Sequence, residues 1–209
     1  GTESTQFPAV GTADPLLRRE KNGGRDAFVL RLKNQGSQID YSGFIGGAED
    51  DQANSLAVDG LGRAYVTGFS SCTGGGNCSF PTVVGPNLTR AASADASRPS
   101  MDGFIARVKA DGSSLDYAGF IGGDGYFDVG HAIAVDASGS AYVAGATDSV
   151  TGLPAAPGFR SIPSGDASDG FVARISASGA AVDRFTLLTG TLSGNQSGAD
   201  RALAIALDT

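Results

Sequence analysis

The sequence is poor in the residues that build metal centres, disulfide frameworks and membrane spans. Of 209 residues, two are Cys, one is His, one is Met and none is Trp. A zinc centre built on Cys72 and Cys78 would need two further ligands, and His131 is the only imidazole, which argues against such a centre. No apolar run approaches the ~20 residues of a spanning helix, so nothing in this reading crosses a bilayer. Lys and Arg total 15 against 22 acids, a net charge of −7 without a basic run. That removes nucleic acid and anionic membrane surfaces from the main partners. Nucleophile-elbow, zinc-protease and phosphate-loop motifs are all absent.

Glycine is abundant: 32 of 209 residues, about twice the ordinary ~7% share. It falls in short clusters between apolar runs, which is turn chemistry and not collagen order. With 41% apolar residues the chain can bury a sizeable core.

Internal repetition decides the fold. Asp26-Ala-Phe-Val-Leu-Arg31 recurs as Asp102-Gly-Phe-Ile-Ala-Arg107 and Asp169-Gly-Phe-Val-Ala-Arg174. After a polar turn, Ile39-Asp-Tyr-Ser-Gly-Phe-Ile-Gly-Gly47 recurs as Leu115-Asp-Tyr-Ala-Gly-Phe-Ile-Gly-Gly123, with a degenerate third copy at Val182-Asp-Arg-Phe-Thr-Leu-Leu-Thr-Gly190. Each of Asp51, Asp128 and Asp200 then opens an Ala-Val-Asp run, and Ala64-Tyr-Val-Thr-Gly68 recurs as Ala141-Tyr-Val-Ala-Gly145. Every unit thus holds four short β-rich runs separated by turn residues, without a helical period. Phe28, Leu30 and Leu32 alternate with Ala27 and Val29, so both faces are apolar, as for a sheet stacked between two others. The fold class is all-β: a β-propeller of four-stranded antiparallel blades.

The string Asp-x-Phe-[Val/Ile]-x-Arg, polar turn, Tyr-x-x-Phe-Ile-Gly-Gly, Ala-Val-Asp, Ala-Tyr-Val-x-Gly, then Phe-Pro at Phe7-Pro8 and Phe80-Pro81 resembles the bacterial β-propeller repeat family often called the SBBP repeat. Leu153-Pro154 is the weaker third copy of the last element. The resemblance covers nearly the whole chain. It implies a secreted or surface-attached bacterial protein and brings no shared catalytic residues.

The organisation read from the repeat is an end of one blade over 1–47, a second blade over 48–123, a third over 124–190 and the first strand of another over 191–209, with an inserted loop at 69–101. These are eleven strands, about three blades, too few for a ring to close alone. Other blades of a longer chain, or copies of this one, would complete it.

Treating Gln35-Gly36, Asp111-Gly112 and Ser178-Gly179 as two-residue hairpin loops sets Arg31 opposite Asp40, Arg107 opposite Asp116 and Arg174 opposite Asp183. These are structural ion pairs between packed blades. Asp51 and Asp128 follow Gly-rich turns and read as turn acceptors. The sharper alternative is calcium on Glu49, Asp50, Asp51, Asp124 and Asp128, although neither segment follows a full calcium-loop pattern. Cys72 and Cys78 read as a local disulfide and hence an oxidising compartment, against two free thiols in a loop.

Function is expected in the loops that interrupt the repeat, with Phe69, Arg90, Arg98, Phe159 and Arg160 as a contact surface for protein or glycan. The leading reading is a non-catalytic structural or adhesion scaffold. A lectin-like propeller and an enzyme with acids at the channel are the alternatives.

Overall fold

The computed structural model describes the chain except residues 5, 6, 9, 11–16, 19, 74–77, 92–96, 160–167, 191–197 and 209. Among the described residues ten strands form three antiparallel sheets. The first sheet pairs β1 (Ala27–Lys33) with β2 (Gln38–Ile45). The second runs in chain order through β3 (Asp51–Val58), β4 (Ala64–Cys72), β5 (Ser100–Val108) and β6 (Leu115–Ile121). The third does the same with β7 (Asp128–Val135), β8 (Ala141–Thr147), β9 (Asp169–Ile175) and β10 (Val182–Leu188). The only helical turn is the 3-10 segment Asn34–Gly36, within the described residues.

The sheets stack face to face, and the period-2 alternation supplies side chains to both faces. Between the first and second sheets, Val29, Tyr41 and Ile45 meet Val66, Phe104, Val108 and Phe120. Between the second and third, Tyr65, Ile105, Tyr117 and Ile121 meet Ile133, Val143, Phe171 and Ile175. The Phe-Pro element packs on the Phe pair of its own unit: Phe80 lies 5.1 Å from Phe104 and 5.2 Å from Phe120, as Phe7 lies 4.5 Å from Phe28 and 5.3 Å from Phe44. Leu153 packs in the same way on the core holding Phe171 and Phe185.

Four details depart from the sequence reading. Residues 200–208 form no strand: among the described residues none pairs with them in a ladder, and Asp200 N and Ala202 N donate to Ser168 O and Gly145 O. The insertion is 73–99 and not 69–101, since β4 continues to Cys72 and β5 begins at Ser100. The hairpin loops hold four residues, as the pairs Lys33↔Gln38, Lys109 with Ser114 and Ser176 with Ala181 close them. Finally, Arg31, Arg107 and Arg174 pair across the strand with Tyr41, Tyr117 and Arg184, one position beyond the expected Asp. Asp40, Asp116 and Asp183 are each the extra residue of a β-bulge.

Candidate functional site

The repeated polar residues gather at the seams. The bulge turns each Asp back toward the Arg it was expected to face: Arg31 donates to Asp40, Arg107 Nε to Asp116 at 2.9 Å, and Arg174 Nη1 to Asp183 at 3.2 Å. The anticipated ion pairs therefore form although the register differs by one residue. Each of the first two guanidiniums also crosses a seam. Arg31 donates to the Ala110 carbonyl and Arg107 to the Ala177 carbonyl at 2.7 Å, both in the hairpin loop of the following sheet. The same cations lie over tyrosine rings, Arg31 5.0 Å from Tyr41 and Arg107 4.7 Å from Tyr117. Glycine is required in those loops. Gly112 and Gly179 have φ of +68° and +81°, and a methyl group there would fall inside the rings of Tyr41 and Tyr117. Hydrogen bonds from Arg31 and Lys33 hold the Asp40 carboxyl below its ordinary range.

A second device recurs where one sheet crosses to the next. Gly47 N donates to Asp51 Oδ2 at 2.6 Å, Gly123 N to Asp128 Oδ2 at 3.1 Å and Gly190 N to Asp200 Oδ2 at 2.5 Å. Asp51 lies close to Asp26, and Asp128 close to Asp102. A Cβ on Gly46 would sit 2.7 Å from Asp26 Oδ1 and 3.0 Å from Asp51 Oδ2. Burial pushes Asp51 and Asp128 up to about 7, against the hydrogen bonds from Gly47 and Ser70 and from Thr147, Gly123 and Ser149; the neighbouring charges of Asp26 and Asp102 add to the rise. Asp26 and Asp102 are raised by burial as well.

The expected calcium donors are distributed among loop clamps. Asp50 accepts from Arg25 N, Glu49 from Thr73 N and Oγ1, and Asp124 from Thr151 N and Oγ1. Among the described residues no three His, Cys, Asp or Glu side chains gather as a metal would need. Cys72 and Cys78 form a disulfide. It sits against the first crossing, where Ala48 N donates to Cys78 O at 2.6 Å.

The expected contact surface is divided. Arg90 is not at a surface: it is buried, paired with Asp102 at 2.8 Å and bonded to Ser100 O, because the inserted loop folds back under the sheet. Phe69 is half-buried within β4, opposite Gln52 and Gly103, and not in a loop. Arg98 is exposed and lies 4.8 Å from the Tyr126 ring. Phe159 is exposed and borders a cleft of about 350 Å³ with Leu188, Asp200 and Arg201. Arg160 lies outside the described residues.

Arg90 was legible as a charged loop residue, but its buried partner Asp102 could not be read from the repeat, since neither other unit has an Arg at that place. His131 occupies a bulge in β7, as Asn54 does in β3. Asn54 donates across the seam to Gly130 O at 2.9 Å, whereas burial, with the Arg201 charge adding, lowers the His131 pKa.

Residues 40–71 match the family model of the SBBP beta-propeller repeat. That stretch contains most of β2, the first crossing, β3 and nearly all of β4, so the matched unit includes the Asp40 bulge and the Asp51 clamp. No curated protein matches the chain.

Proposed function

We propose that the chain is a non-catalytic β-propeller module, secreted or held at a bacterial cell surface, that serves as a structural or adhesion scaffold. One observation carries this reading: the repeated charged groups are consumed in holding sheets together. Arg107 is shared among Asp116, the Ala177 carbonyl and two tyrosine rings, and Arg90 is spent on Asp102. The second and third sheets are two full blades and the first is the outer half of another. The Cys72–Cys78 disulfide fits an oxidising compartment. Partners, whether protein or glycan, meet the segment 73–99 and the one following β8, which leave their sheets on the same side.

The cleft beside Phe159 favours carbohydrate as a second reading. An exposed aromatic ring flanked by Asp200 and Arg201 suits a sugar with one apolar face and hydroxyls at its edge.

Two assays test these readings. Incubation with p-nitrophenyl esters, phosphates and glycosides is expected to give no turnover; turnover abolished by Asp102→Asn would sink the scaffold reading. On a glycan array, binding that disappears in Phe159→Ala would put the lectin reading first, and unchanged binding would remove Phe159 from it.

A further inference from the structure

An irregular segment runs along the outer edge of the last strand of every sheet. Against β6, Val83 N donates to Ala118 O at 2.9 Å, Ala118 N to Val83 O at 2.6 Å and Phe120 N to Asn87 O at 2.8 Å. On β2, Phe44 N donates in the same way to Arg18 O at 2.8 Å, and on β10 Leu187 N to Phe159 O at 2.9 Å. Phe44, Phe120 and Leu187 are equivalent, each standing opposite the Phe of its Asp-x-Phe run. Arg18, Asn87 and Phe159 therefore share one position. The fold fixes the backbone there and accepts a cation, an amide or an aromatic ring as the side chain.

In the second unit this position opens Asn87-Leu88-Thr89, the acceptor triplet for an N-linked sugar. The other units read Arg18-Arg19-Glu20 and Phe159-Arg160-Ser161, so the edge bonds do not call for the triplet. Its three residues are exposed between two anchors. Before them Phe120 N holds Asn87 O, and after them Arg90 is buried on Asp102 and Ser100 O. The triplet thus arches outward from the folded chain, where an enzyme can reach it. Within it, Thr89 N and Thr89 Oγ1 make long hydrogen bonds to Asn87 Oδ1, at 3.4 and 3.5 Å. Both engage the amide oxygen, and Nδ2 donates to no group among the described residues. On the same segment Val84 and Leu88 are 49% and 46% exposed, apolar surface that a glycan would cover. Asn77 and Asn195, which open the other two such triplets, lie outside the described residues.

We propose that Asn87 is an N-glycosylation site. The donor is a sugar activated through phosphate or pyrophosphate at its anomeric carbon, and a glycosyltransferase is the catalyst. The bond formed joins Asn87 Nδ2 to the anomeric carbon. The bond broken is that carbon's to the phosphate oxygen, which leaves with the electron pair and takes up the proton that Nδ2 loses. The product is a bulky, solubilising group on the outer edge of the second sheet, clear of both seams, so the sheets stack as before. The inference uses the exposed arch, and rests neither on the absence of turnover nor on the identity of loop partners.

Peptide mapping of the protein purified from the organism that makes it tests the site. Trypsin cleaves after Arg63 and Arg90. The peptide between them is expected to carry the mass of one or more sugar residues, which electron-transfer fragmentation assigns to Asn87. Expressed in the same organism, Asn87→Gln and Thr89→Ala are expected to lose that mass and Thr89→Ser to keep it, all with the parent's circular dichroism spectrum. A peptide present only at its unmodified mass, sugar fixed to another residue of it, or sugar retained in Asn87→Gln or Thr89→Ala would each overturn the proposal. The scaffold reading would stand through any of these results, since it fails on turnover.

Discussion

Replacing Arg107 by Ala is expected to destabilise the fold far more than the same change at Arg31, although the two arginines occupy one position of the repeat. The difference lies in burial. The Arg107 and Asp116 side chains are 10% and 22% exposed, those of Arg31 and Asp40 are 42% and 24%. Arg107→Ala removes a bond at 2.9 Å to Asp116 and one at 2.7 Å to Ala177 O, charge-assisted contacts worth about 1.5–3 kcal/mol in such settings. It also uncovers the Tyr117 and Tyr65 rings at 4.7 and 5.7 Å, each contact adding about 0.5–1 kcal/mol. Allowing for water entering the vacated seam, the loss is about 3 kcal/mol. With a urea slope of about 2 kcal/mol per molar, the midpoint falls by roughly 1.5 M. Arg31→Ala leaves groups that solvent already reaches, and its midpoint moves much less. Equal shifts for the two variants, or a shift below about 0.5 M for Arg107→Ala, would refute the assignment of the seam as the place where these charges act.

Other outcomes follow from the same geometry. Asp51 and Asp128 hold their protons up to about 7 in the folded chain, well above their unfolded range, so the native state binds more protons than the unfolded one between about pH 4 and 7. Their contribution is fully present below pH 4 and is lost as pH rises through 7; thermal melts from pH 5 to 8 are expected to fall, and Asp51→Asn with Asp128→Asn to flatten the slope. Gly36→Ala is expected to cost about 1 kcal/mol for its left-handed backbone alone, while Gly112→Ala, which also meets Tyr41, costs about 3 kcal/mol; comparable melting temperatures would contradict this. Reduction of Cys72–Cys78, which closes a loop of separation 6, is expected to cost about 2 kcal/mol, read as a lower urea midpoint with reductant that is absent in the Cys72→Ala, Cys78→Ala chain.

Much of the architecture was legible because the repeat states it several times. Alternation in Phe28–Leu32 and its copies marks strands buried on both faces, and Gly-Gly marks the crossings. The bulge at Asp40 was not legible: a bulge leaves no composition signal, and a four-residue loop gives the same pairing sum as a two-residue one. The ion pair survived the error because the extra residue is the Asp itself, which the bulge tilts toward Arg31. Residues 200–208 carry a strand pattern equal to that of β3, yet a ladder needs a neighbour as well as a propensity. Arg90 misled for the opposite reason: a charge in a polar insertion is ordinarily solvated, and only the fold-back of that insertion onto Asp102 buries it.

The arginine bonds across a seam run one way, from the guanidinium of one sheet to the loop carbonyl of the next. A gene encoding such a seam can lengthen by copying a single period, because the new sheet arrives with an arginine for its successor and a loop for its predecessor. Duplicating residues 51–127 would place Phe127 before a second Asp51 without orphaning either contact. The insertion at 73–99 travels with the duplicated stretch, so each added period carries its own disulfide and its own variable segment, free to diverge while the seam stays fixed.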